Sequence, residues 1–118
     1  MAIKSFKDLV VWQKSFLLCQ EVYELTSRLP STERFGLTSH LQRCAVSIPS
    51  NIAEGQQRHN TKEYRQFMGI ARGSAGELET QLLLIQKIYK LDITKTLSTL
   101  TEIQKMLHTL AKKLEPNH

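Results

Sequence analysis

Leu37, Leu41, Cys44, Ile48 and Ile52 recur at steps of three and four, the spacing that lines side chains along one face of an α-helix. Three other stretches carry the same period. Tyr64, Met68, Ala71, Ala75, Leu78, Leu82, Ile85 and Tyr89 form one long seam, and Ile93, Leu97, Leu100, Ile103, Leu107, Leu110 and Leu114 form another. Near the N-terminus two seams share one segment: Leu9, Trp12, Phe16, Cys19 and Tyr23, and beside them Val11, Leu18, Val22, Leu25 and Leu29. One seam suffices for a helix in a bundle. Two predict a wider buried arc, covered in part by another subunit. Strand-like alternation is absent, so the pattern predicts an all-α protein, an antiparallel up-down four-helix bundle.

Local signals set the expected boundaries. Ser5-Phe6-Lys7-Asp8 fits a capping box, placing the first helix from about Asp8 to Ser27. Arg28 to Gly36, with Pro30, is a connection. The second helix is expected from Phe35 or Leu37 to Glu54, with Gly55 as its stop signal. Gln56 to His59 form a polar link, and Asn60 with Glu63 three positions on opens the third helix. The turn Lys90 to Asp92 is short enough to make the third and fourth helices antiparallel neighbours, with Asp92 as a cap.

Composition narrows the class. At 118 residues, with 41% hydrophobic and 23% charged positions, residues 1–118 are expected to make one domain with a modest core. No apolar run approaches the roughly 20 residues that cross a bilayer, and Met1 to Lys7 lack the apolar segment of a secretory signal, so a cytoplasmic location is expected. Cys19 and Cys44 lie on apolar stripes and read as small buried side chains in a reducing compartment. The net charge of +5 favours anionic partners, nucleic acid first.

Arg43 to Gly55 breaks local rules. Pro49 falls inside a helical pattern, where it removes one backbone hydrogen bond at a cost of about 3 kcal/mol. The carbonyl of Ala45 should lose its partner and Ile48 should leave helical angles, with Ser47 and Ser50 offering local compensation. His40, Arg43, Ser47, Asn51 and Glu54 form a polar stripe beside the apolar one. Buried charges need partners. The expected pairs are Arg43 with Glu77 or Glu79, and Glu54 with Arg65 or Arg72. Gly69, Gly73 and Gly76 form a row on the third helix, each costing about 1 kcal/mol relative to alanine. Such a row predicts close packing, on the second helix near Ala45 and Ala53 or on another subunit.

Catalytic patterns are weak. His40, His59, His108 and His118 show no helical pair at zinc-binding spacing, and Gly73-Ser74-Ala75-Gly76 lacks the lysine and preceding strand of a phosphate loop. Glu115-Pro116-Asn117-His118 has the letters of a di-iron motif but no second copy. No catalytic residue, metal or cofactor is therefore expected. Arg58, Lys62, Arg65 and Arg72 fall near one side if the third helix extends back through the link, with Tyr64 and Phe67 beside them. Basic residues interleaved with aromatics engage phosphates and stacked bases. Lys87, Lys90, Lys112 and Lys113 are further candidates. A purely structural or protein-interaction module is the alternative, and a small hydrolase or metal enzyme a more distant one.

Several stretches resemble a known family: Phe6 to Gln13, Pro30, Glu33, Phe35-Gly36-Leu37, Arg43 to Gly55, and Ile70 to Glu79. They are similar to the bacterial four-helix-bundle proteins often labelled 23S rRNA intervening-sequence proteins, which include the accessory variability determinant of diversity-generating retroelements. Ser47 to Gly55 is the most specific part, and His40 departs from the glutamine more usual in the pattern. The resemblance implies a homopentameric ring without catalytic residues. In the retroelement members it implies a basic partner of a reverse transcriptase and its template RNA. Arg43, Ser47, Pro49, Asn51, Glu54, Gly69, Gly73, Gly76, Glu77 and Glu79 then form the structural or subunit-contact set.

Overall fold

In the computed structural model, which describes residues 5–116, four α-helices follow one another: α1 Val10–Thr26, α2 Leu37–Gln56, α3 Thr61–Tyr89 and α4 Thr94–Lys113. No strand occurs among the described residues. α1 packs on α2 and α4, and α3 packs on the same two helices, so α1 and α3 lie across the core from each other. Leu18, Leu41, Ile48, Ile52, Met68, Leu78, Leu82, Leu100 and Leu107 are fully buried between them.

The ends of the helices follow from their caps. Lys7 N–H donates to Ser5 Oγ and Ser5 N–H to Asp8 Oδ2, both at 3.2 Å, which is the expected capping box. It starts a 3₁₀ turn at Phe6–Asp8 rather than the first helix; Leu9 is extended, and Phe6 folds back against Trp12 with ring centroids 5.3 Å apart. Asn60 Oδ1 accepts from Glu63 N–H at 2.8 Å and opens α3 as expected. Lys90 ends it in the left-handed conformation at φ 59°, and Asp92 Oδ1 then accepts from Thr94 N–H at 3.0 Å.

The start of α2 is held by a tertiary contact. Glu33 Oε1 accepts from Leu37 N–H at 3.2 Å, and Glu33 Oε2 accepts from the hydroxyl of Tyr89 at the far end of α3. These two bonds, Tyr89 first, hold the Glu33 carboxyl below its ordinary pKa, and the same pairing raises Tyr89. The contribution of Glu33 to stability is therefore present above the ordinary carboxylate range and lost as pH falls through its depressed folded value. Tyr89→Phe should flatten the acid limb of stability, measured by denaturant unfolding between about pH 6 and pH 3. Parallel curves for the two proteins would show that the pair carries no such linkage.

Two expectations for α2 are corrected. Gly55 is not a stop: α2 runs through it to Gln56, and Gly55 is buried against α3. A Cβ there would meet Phe67 Cβ at 2.8 Å and Tyr64 and Met68 side chains at 3.1 Å, so close approach of two helices is what demands glycine. Pro49 does not push Ile48 out of the helix either; α2 remains helical across it. The compensation comes not from Ser47 or Ser50 but from α1, where Cys19 Sγ donates to the Ala45 carbonyl at 3.2 Å. That carbonyl is the one Pro49 deprives of its N–H partner.

The thiol thus replaces a missing backbone donor and ties α1 to α2. Leaving a buried carbonyl unpaired costs about 1–3 kcal/mol, and a thiol, being a weak donor, belongs at the low end. Cys19→Ala should cost about 1 kcal/mol more with Pro49 present than in a Pro49→Ala background, where residue 49 supplies its own N–H. Chemical denaturation of the four proteins in this cycle measures the difference, and equal costs in both backgrounds would contradict the pairing.

Candidate nucleic-acid interface

Lys62, Arg65 and Arg72 sit on the flank of α3 that meets α4. The register repeats because steps of three and seven return to one side of a helix. Arg65 Nη1 donates to the Leu114 carbonyl at 3.4 Å, where the unsatisfied carbonyls ending α4 favour a cation. Arg72 Nη2 lies 3.4 Å from His108 Nδ1. Lys62 and Arg65 line a cleft of about 420 Å³ with Thr61, Leu114, Glu115 and Pro116. Lys112 and Lys113, in the last turn of α4, are exposed nearby in sequence.

Arg58 does not join this group. Helical structure is broken between Gln56 and Thr61, so α3 is not extended back through the link. Arg58 turns to the α2 side, pairs with Glu54 at 3.0 Å and Glu63 at 3.8 Å, and lies over the Phe67 ring at 4.8 Å. Two carboxylates offset its charge. The four expected phosphate contacts thus split into three and one, while Tyr64 and Phe67 pack against the core instead of standing free for bases. His108 joins the face without having been singled out; its spacing of three from Lys105 and four from Lys112 was the available signal.

The polar stripe of α2 does face α3, but through neutral groups. Ser47 Oγ and Ser74 Oγ are 2.8 Å apart, and Asn51 Nδ2 donates to the Ser47 carbonyl at 2.8 Å and to Ser47 Oγ at 3.0 Å. The expected ion pairs do not form. Arg43 reaches Ser39 Oγ at 3.4 Å, Glu54 takes Arg58, and Glu79 accepts from Gln104 of α4 at 3.0 Å. Arg43 and Glu54 are exposed, which removes the need for buried partners, and a residue four positions along the same helix is the nearer choice. The glycine row is also corrected: Gly69, Gly73 and Gly76 are exposed, and a Cβ built on any of them meets nothing within 4 Å. They do not pack on Ala45 or Ala53.

Neither cysteine sits where thiolate chemistry is favoured. Burial raises Cys19 to about 11, and burial followed by the charge of Glu77 raises Cys44. Among the described residues no three His, Cys, Asp or Glu gather so as to hold a metal ion. His118 lies outside those residues. A second cleft, of about 200 Å³, mixes Glu21, Glu24 and Asp92 with Arg28 and Lys95 and has no single sign of charge. Among the described residues no helix is long and apolar enough to cross a membrane.

Four helices around an apolar core, with a cationic flank on the α3–α4 side, define a small helical-bundle protein. The family of 23S rRNA-intervening sequence proteins matches residues 7–110, nearly the whole chain, and the chain belongs to that family. A comparison with curated proteins gives no match.

Proposed function

We propose that this chain is a non-catalytic scaffold that binds RNA through the α3–α4 flank, as an up-down four-helix bundle assembled into a homo-oligomeric ring. The observation that carries the reading is the convergence of Lys62, Arg65 and Arg72 beside α4, where no ion pair among the described residues joins them to a carboxylate. Cations in this state are available to phosphates, and repetition around a ring multiplies their field. The up-down arrangement is supported by contacts that run in opposite order along partners: Glu79–Gln104, Arg72–His108 and Arg65–Leu114 between α3 and α4, and Gln42–Thr26 and Ala45–Cys19 between α2 and α1.

Five subunits and a reverse transcriptase as a second partner are what the family resemblance adds. The unpaired Cys19 and Cys44 suit a cytoplasmic setting. A filter-binding titration with a structured RNA at several salt concentrations tests the reading. Binding should weaken linearly in log K against log salt. No binding at low salt, or binding indifferent to salt, overturns the phosphate-driven mechanism and favours a protein-interaction module.

A further inference from the structure

Glu21 of α1 is a buried charge that the fold leaves unmatched. It is 7% exposed, and its Oε1 is enclosed with no hydrogen-bond partner among the described residues. No ion pair among those residues reaches it either. A buried carboxylate is costly unless it is paired and hydrogen-bonded. Glu33 meets that requirement through Leu37 and Tyr89; Glu21 does not. The apolar side chains that α1, α2 and α3 expose, Phe16, Val46 and Ile70 among them, do not specify an occupant. An orphaned carboxylate does, because the chemistry of its missing partner is fixed by its charge.

Glu21 lines the cleft of about 200 Å³ that α1 forms with the start of α4, together with Glu24, Arg28, Asp92, Lys95 and Thr96. The other two carboxylates are engaged: Glu24 pairs with Arg28 at 3.4 Å, and Asp92 Oδ1 accepts from Thr94 N–H at 3.0 Å. The three do not gather as a ligand set for a metal ion. Glu21 therefore calls for a hydrogen-bonding nitrogen cation. The cleft also holds groups suited to an anion. Lys95 is exposed, and no ion pair among the described residues takes its ammonium. Lys95 and Thr96 are the second and third residues of α4, whose backbone N–H groups the helix itself does not use. Ile93 at the cap provides no side-chain acceptor for them, and a helix start favours negative charge.

We propose that this cleft binds a small zwitterion, a free α-amino acid, with its ammonium group on Glu21 and its carboxylate on Lys95 and the N–H groups that open α4. The Thr96 hydroxyl, in the same cleft, is a second acceptor for the ammonium. A ligand of one charge would leave either Glu21 or Lys95 unmatched. A polycation would meet Arg28 and Lys95, and a polyanion the three carboxylates. The volume lies below the roughly 300 Å³ at which pockets for drug-sized ligands begin, which suits a molecule of this size. The cleft stands at the start of α4, whereas Lys62 and Arg65 stand at its end, about 30 Å away along a helix of 20 residues. Ligand binding here is therefore separable from the RNA reading.

The test is titration calorimetry of the full-length chain with the common amino acids, one at a time at millimolar concentration. At least one should bind. Its N-acetyl derivative, which lacks the ammonium, and its carboxamide, which lacks the carboxylate, should not. Glu21→Gln keeps the shape and removes the charge, and it should weaken binding about tenfold or more. The same variant without ligand should melt no lower than the native chain, since a buried unmatched charge is gone. Lys95→Ala, at an exposed position, should weaken binding while leaving the melting temperature unchanged. The proposal is overturned if no amino acid binds, if the carboxamide binds as well as the parent, or if Glu21→Gln binds like the native chain. A Glu21→Gln chain that melts well below the native one would show that the carboxylate already has a partner in the fold, and would overturn it too.

Discussion

Replacing Lys62, Arg65 and Arg72 together by alanine should lower RNA affinity about a hundredfold at moderate salt and reduce the slope of log K against log salt by roughly two. Lys62 and Arg72 are exposed, and Arg65 reaches only the end of α4 through a long bond, so the fold should survive the change. Each lost phosphate contact also removes a released counterion, which is why affinity and salt slope must fall together. Arg34→Ala, which alters an exposed cation stacked on Phe35 far along the chain, serves as the control and should leave binding within about twofold. Affinity measured by fluorescence anisotropy at four salt concentrations checks both quantities. A triple variant with an unchanged slope would show that these side chains do not meet phosphates.

The largest effect on the fold is expected at Gly55. Leucine there must displace Phe67 Cβ, an atom fixed to the α3 backbone, along with the side chains of Met68 and Tyr64. Overpacking of this kind costs about 3 kcal/mol or more, against a helix-propensity gain of about 1 kcal/mol. The net loss should lower the melting temperature by roughly 10 °C. A Cβ at Gly73 meets nothing within 4 Å, so leucine there should leave the chain's internal packing alone. Thermal unfolding followed by circular dichroism separates the two positions; a Gly55→Leu protein that melts like the original would contradict the close α2–α3 approach.

The contrast between these glycines shows what the chain disclosed and what it withheld. The apolar seams of four stretches gave the helices, because burial on one face imposes the 3.6-residue period directly on the sequence. Asn60, Glu63 and Asp92 were readable because their bonds are local, spanning two or three residues. The orphan Ala45 carbonyl was also foreseeable from Pro49 alone. Its partner, Cys19, was not, since 26 positions separate them and only the packing of α1 on α2 brings them together.

Glycine is ambiguous in the same way. Gly55 looked like a terminus and is a helix contact, while Gly69, Gly73 and Gly76, read as packing either on the second helix or on another subunit, lie outside and do not pack on the second helix. A missing side chain permits close approach but does not say from which direction. The cationic set was legible to the extent that it obeyed helix periodicity, at Lys62, Arg65 and Arg72. It failed at Arg58, where a break in the helix turned the side chain toward Glu54 and Glu63. The expected ion pairs of Arg43 and Glu54 failed because exposed charges settle for near neighbours on their own helix.

Sedimentation velocity of the unmodified chain at micromolar concentration, alone and with a structured RNA, tests the central proposal most directly. The apolar faces of α1, α2 and α3 and the free cationic flank predict a discrete assembly of several chains that takes up RNA without coming apart. A stable, folded single chain, with or without RNA bound, would contradict it.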